Sequence, residues 1–201
     1  RELEIVQRVD SRGVARFVDA DLSAEPPWLA SEFVDGLSLA EAVEEVGKLS
    51  PSITQALLYH LARTINSIHR SGVAHRDLAP TNILLGPTGP TLIDFGASRF
   101  DLEHALTGSR LLIGTEGFVA PETTQGQNVG SPADIYALAK IGMFCLSGKT
   151  PPLDISENDP FDAFGQEVTE LLRSALSEDP RQRPSAEDLE KALACELAPL
   201  D

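Results

Sequence analysis

Residues 73–96 read VAHRDLAPTNILLGPTGPTLIDFG, and the rest of the chain is organised around them. Three oxygen-bearing side chains stand there in short, specific settings: Asp77 behind His75-Arg76, Asn82 a few residues on, and Asp94 at the head of Asp-Phe-Gly. Between Asn82 and Asp94 the pattern predicts a strand over 83–85, a Gly/Pro turn over 86–90 and a second strand over 91–93. Such a hairpin folds back on itself, so Asn82 and Asp94 are expected at the same end of it. A lone His-Arg-Asp reads as a solvated loop acid, whereas the full set at this spacing is far more specific.

Composition sets wide limits. With 201 residues, 42% of them hydrophobic, the chain can bury one sizeable core and fits one domain. The net charge of -15 argues against nucleic acid or an anionic membrane as partner, because both would repel it. It fits basic substrates and, more plainly, solubility. Cys145 and Cys195 form no disulfide framework and suit a reducing cytosol, and Cys145, in an apolar helical run, is expected in the core. No apolar run of about 18 residues occurs, so neither a transmembrane helix nor a signal peptide is expected, and the expected location is cytoplasmic.

In chain order, Leu3, Val6 and Val9 recur at helical spacing, a strand is expected over 14–20, a polar turn over 21–27 and a second strand over 28–34. Two strands make a marginal sheet, so this pair is expected to belong to a larger one. Ser38 with Glu41 is a capping box for a short helix to about Val46, and Ser50-Pro51 starts a longer helix that carries Leu57, Leu58, Leu61, Ile65 and Ile68 and stops at Gly72. His60 and His69 on that helix have no second ligand at metal spacing and read as packing or surface residues. Residues 97–113 lack periodicity and read as a mobile segment. Ser131, Pro132 and Asp134 form a helix start, the helix that follows is apolar on nearly every side and ends at Gly148, and so it should be the buried pillar of the domain. An amphipathic helix is expected over 161–176, and a last helix from Ser185, capped with Asp188.

His75-Arg76-Asp77-Leu78 with Asn82, then Asp94-Phe95-Gly96, then Ala120-Pro121-Glu122 match in order three signatures of protein kinases. From Glu2 to about Ala194 the chain resembles that family, and within it the bacterial eukaryotic-like (Hanks-type) serine/threonine protein kinases. The fold implied is α+β, mainly α and protein-kinase-like: residues 1–34 would be a remnant of the small β lobe, and 35–201 the large helical C-terminal lobe. The activity implied is ATP-dependent phosphoryl transfer to serine or threonine hydroxyls of a protein substrate, which asks for positioning and charge neutralisation. Asp77 would orient the attacking hydroxyl, and Asn82 and Asp94 would hold Mg²⁺ through the oxygen ligands that this hard ion prefers.

The resemblance implies further roles. Glu2 falls on the glutamate that pairs with the strand-three lysine, and that lysine, its V-A-I-K context and the Gly-rich loop do not occur in residues 1–201. The catalytic domain is therefore expected to be N-terminally truncated, the piece alone inactive, and any kinase dimer formed through the portion not included. Ser31 takes the gatekeeper position, the backbone of Glu32 and Val34 would bond adenine, and Leu84 would floor the nucleotide. His75 and Phe95 would stack with Val6 in a regulatory column, and Asp134 would anchor the loop backbone. Glu122 would pair with Arg183, and Thr115 would join Asp77. Arg76 and Arg99 would receive a phosphate on Thr107 or Ser109.

One departure from the family pattern stands out: Ala79 occupies the place of the lysine that usually contacts the transferred phosphate in serine/threonine members. Tyrosine kinases also have alanine there but continue differently from Pro80-Thr81-Asn82, and Gly114-Thr115 favours the serine/threonine reading. Two other readings compete. A pseudokinase would keep the fold as a binding or scaffolding module but has no need of Asp77, Asn82 and Asp94 together. A small-molecule kinase of the same fold would lack Ala120-Pro121-Glu122.

Overall fold

Three helices of this chain begin where a serine side chain takes up an orphan backbone N–H group, as the computed structural model, which describes residues 13–21, 23–26, 28–94, 117–124, 130–152 and 159–197, shows. Ser38 accepts the Glu41 N–H while the Glu41 carboxylate accepts the Ser38 N–H at 2.8 Å, which starts α1, Leu39–Val46. Ser50 accepts the Ile53 N–H and Pro51 opens α2, Pro51–Arg70. Past the 3-10 turn Pro80–Asn82 comes a short α3, Pro121–Thr124, then α4, Ser131–Ser147. The last two are α5, Gln166–Ala175, and α6, Ala186–Glu196, the latter with the Ser185–Asp188 capping box.

Helix α4 is enclosed almost throughout, from Ala133 to Met143, as its all-round apolar sequence requires. Helix α2 lies against both α4 and α6 and contributes Leu57, Leu58, Leu61, Ile65 and Ile68 to the core. The α2–α4 crossing depends on Gly142: a Cβ there would stand 3.2 Å from Leu58 Cδ1 and 3.4 Å from Phe161 Cε1. Leu58 is fully buried in that contact, and its truncation to alanine costs about 2–5 kcal/mol on general grounds.

The strands form two small antiparallel sheets. Strands β1, Phe17–Asp21, and β2, Trp28–Ser31, pair with each other. Strands β3, Leu37–Ser38, β4, Ile83–Gly86, and β5, Gly89–Leu92, form the second sheet, in that order. The two are stitched at Leu92, which donates to Gly13 O and accepts from Ala15 N–H, each at 2.8 Å. Because Ile83 faces Leu92, and the Ile93 N–H bonds Asn82 O at 3.0 Å, the hairpin brings the start of β4 beside the residues that lead to Asp94.

Several boundaries differ from the sequence reading. Both hairpin strands are longer and the turn shorter, because Gly86 pairs with Gly89 and leaves only Pro87 and Thr88 between them. The first strand starts at Phe17 and not Val14, which makes only an isolated bridge, and the second ends at Ser31 and not Val34. Strand β3 was not foreseen, since its partner β4 lies far off in sequence. The helix expected over 161–176 is a 3-10 turn, Pro160–Ala163, capped by Asp159, and then α5 from a Gly165 N-cap. Ser131 is already helical, and Gly130 caps α4 with no side-chain bond, so the acid of that first turn is free to bond elsewhere.

Candidate active site

The loop between α2 and β4 is fastened from beneath by Asp134. This carboxylate, 1% exposed in α4, accepts the His75 N–H at 2.8 Å and the Arg76 N–H at 2.7 Å. His69, on the last turn of α2, donates from Nε2 to the same carboxylate at 2.8 Å. His75 in turn donates from Nε2 to the carbonyl of Ile93 at 3.1 Å, so the loop is tied to the residue before Asp94. Hydrogen bonds to an ionised acceptor are about twice as strong as neutral ones, which suits a loop that must hold an unfavourable shape.

That shape is visible in the backbone. Arg76 has φ 70° and Asp94 has φ 56°, both in the left-handed region that side chains other than glycine seldom enter. Asparagine and aspartate tolerate it better than arginine, so the Arg76 conformation is the one that needs the Asp134 bonds to persist. Each strained residue stands at an acid of interest, the first directly before Asp77 and the second Asp94 itself.

Asn82 is buried in the 3-10 turn Pro80–Asn82, and its Nδ2 donates to Asp77 O at 2.9 Å and to Asp77 Oδ2 at 3.2 Å. With the nitrogen so engaged, the atom it can offer a cation is Oδ1. Asp94 is exposed and offers a carboxylate. An amide oxygen and a carboxylate are the hard, sparse donor set that suits Mg²⁺, which keeps phosphate oxygens and waters for its other positions. Among the described residues no cluster of three or more His, Cys, Asp or Glu forms a closed metal cage.

Asp77 lines a small recess with Phe118, Val119, Ala120 and Thr123, so the segment before α3 runs beside Asp77. The far end of that segment is clamped. Arg183, its side chain fully buried, donates from Nη1 and Nη2 to the two oxygens of Glu122 at 2.7 and 2.8 Å, and further to Pro132 O and Ser177 O, each at 2.9 Å. The guanidinium also lies 5.0 Å from the Tyr136 ring centre. Burial pushes the Tyr136 hydroxyl above its ordinary range, and the Arg183 charge opposes that rise.

The other residues singled out from sequence fall as follows. Ser31 ends β2 and is exposed. Glu32 gives its N–H to Arg16 O at 2.8 Å, so its carbonyl is the backbone atom it can offer a ligand. Val34 and Leu84 are half-buried, Leu84 between Ser38 and Thr91 in the sheet. Ala79 is fully enclosed. Glu2, Val6, Phe95, Arg99, Thr107, Ser109 and Thr115 lie outside the described residues. Sequence reasoning read His69 as a packing or surface residue, because its partner Asp134 is remote in the chain, and passed over Lys140, a buried lysine inside α4 that hydropathy alone marks as polar.

The protein kinase domain family matches residues 1–193, and the chain belongs to that family. It is 33% identical over 199 residues to PkwA of Thermomonospora curvata, described as a probable serine/threonine-protein kinase, with 94% of this chain and 27% of that protein covered. It is 31% identical over 208 residues to the serine/threonine-protein kinase AfsK of Streptomyces coelicolor, with 98% and 26% covered. The chain thus spans about a quarter of the length of these curated relatives. Among solved structures, the Mycobacterium tuberculosis PknI kinase domain, as its C20A mutant, superposes with a TM-score of 0.74 at 26% identity, covering 98% of this chain and 76% of that one. The fold is accordingly protein-kinase-like. Among the described residues no helix is long and apolar enough to cross a membrane.

Proposed function

We propose that the chain supplies the catalytic lobe of a serine/threonine protein kinase, with residues 1–34 the end of the small lobe and 35–201 the large one. The observation that carries this is the Asp77–Asn82 contact at 3.2 Å, inside a loop held by Asp134 at 2.7 and 2.8 Å. Bound Mg-ATP would supply the phosphoryl group and the neutralising charge. Asp77 orients the acceptor hydroxyl and takes its proton, Asn82 fixes the Asp77 side chain and offers Oδ1 to the metal, and Asp94 offers its carboxylate. The carbonyl of Glu32 and the backbone of Val34 face the adenine, with Leu84 beneath it and Ser31 as gatekeeper.

Neither a Gly-rich phosphate loop nor a V-A-I-K lysine occurs in residues 1–201, so these residues by themselves are proposed to transfer little phosphate. The test is transfer of labelled γ-phosphate from Mg-ATP to myelin basic protein, by residues 1–201 and by the longest native chain that contains them, followed by phosphoamino-acid analysis. Phosphoserine or phosphothreonine from the longer chain alone is the expected result. Robust transfer by the short piece overturns the second claim, and nucleotide binding without any transfer by the longer chain makes the protein a binding module.

A further inference from the structure

Lysine is rarely fully buried unless its ammonium has a partner. Lys140 is 1% exposed in the middle of α4, with Nζ 5.4 Å from the centre of the Tyr136 ring one turn earlier. The same Nζ donates to the carbonyl of Pro152 at 2.5 Å, in the stretch that follows α4. That stretch is where the backbone of Gly117 rests: a Cβ on Gly117 would lie 2.6 Å from Thr150 Cγ2 and 2.9 Å from Pro151 O. Phe118 then sets its ring edge-on against Phe144 of α4, with centres 5.9 Å apart. So α4 grips the segment over 117–122 at two points, at Glu122 through Arg183 and at Gly117 through the stretch that Lys140 holds. Both cations lie over the one Tyr136 ring.

We propose that Lys140 is a positioning residue for the acceptor protein. By tethering Pro152 it sets the height of residues 150–152 under Gly117, and through them the placement of Phe118, Val119 and Ala120 beside Asp77, where an acceptor hydroxyl has to arrive. The inference rests on the protein kinase reading. A methionine at this position would fill the space but could not donate, and an alanine at 117 would push the two segments apart.

The experiment uses the longest native chain, with myelin basic protein and ATP varied separately, on Lys140→Met and Gly117→Ala. Both variants are expected to raise the KM for the acceptor about tenfold, the scale of one lost charge-assisted contact, with kcat and the KM for ATP changed by less than about twofold. Amide hydrogen exchange should rise at 117–120 and at Thr150, the residue before Pro151-Pro152, in Lys140→Met and stay unchanged at 75–77. An unaltered acceptor KM, or a loss shared equally by kcat and both KM values, reduces Lys140 to a core filler and overturns the proposal. If the wild-type chain transfers no phosphate, the kinase reading fails on its own. The exchange comparison then decides separately whether Lys140 places the segment over 117–120, and unchanged exchange there overturns that too.

Discussion

Replacing Asp134 with alanine removes the acceptor on which the whole loop depends. The N–H groups of His75 and Arg76 lose bonds of 2.8 and 2.7 Å at a place where Asp134 is 1% exposed. A buried donor left without a partner costs about 1–3 kcal/mol, so the pair costs about 2–6 kcal/mol, and loss of the His69 bond adds about 1 kcal/mol. Water entering the vacated space and relief of the Arg76 strain offset part of this, which leaves about 2–4 kcal/mol of lost stability. A second effect is local: without its bond, Arg76 can relax from φ 70°, relieving about 1–3 kcal/mol of strain and swinging Asp77 away from Asn82. Urea denaturation of the wild type, Asp134→Ala and Asp134→Asn reads the first effect, and phosphotransfer at saturating ATP reads the second. The asparagine variant keeps one acceptor oxygen and should lose about half as much stability. An alanine variant within about 1 kcal/mol of wild type and fully active would refute the idea that Asp134 holds this loop.

Other consequences can be checked alongside it. Arg183→Met leaves Glu122 buried without its cation, and thermal or urea unfolding should register a loss of about 3–5 kcal/mol. Burial pushes the Cys145 thiol up to about 12, so it stays protonated and shielded at about pH 8, and iodoacetamide followed by peptide mass mapping should find only Cys195 alkylated until the protein is unfolded. In the longest native chain, Thr107 or Ser109 should carry phosphate in the active form. Thr107→Ala with Ser109→Ala should lower activity severalfold, whereas full activity with no phosphate on that segment removes Arg76 and Arg99 as its receivers.

What could be read in the sequence was what neighbours along the chain decide. The Ser38–Glu41 and Ser185–Asp188 boxes and the Ser50-Pro51 start need only residues within one turn, and each appears where expected. The all-apolar pattern of α4 likewise carries its own burial. Contacts between distant residues left no local trace. Strand β3 exists because Leu37 meets Leu85, and His69 matters because α2 ends beside Asp134. The Phe161–Leu176 periodicity runs across a break at Phe164 and Gly165, since apolar spacing does not register a backbone that turns extended. Lys140 was invisible for a different reason, because a lysine scores as polar until its carbonyl partner at Pro152 is known. The Glu122–Arg183 pairing was reached by family resemblance and not by pattern, and the same holds for every role given to the loop.

The measurement that bears most directly on that assignment compares Asp77→Asn with Asp94→Asn in the longest native chain. Nucleotide binding in the presence and absence of Mg²⁺ is followed by calorimetry, and phosphotransfer by label incorporation. Both variants should fall to background in transfer. Asp94→Asn should weaken Mg-dependent nucleotide binding by about tenfold or more, while Asp77→Asn should leave it within about twofold of wild type. Equal loss of binding in the two, or transfer surviving in Asp77→Asn, would contradict the division of labour between the loop acid and the metal-holding acid.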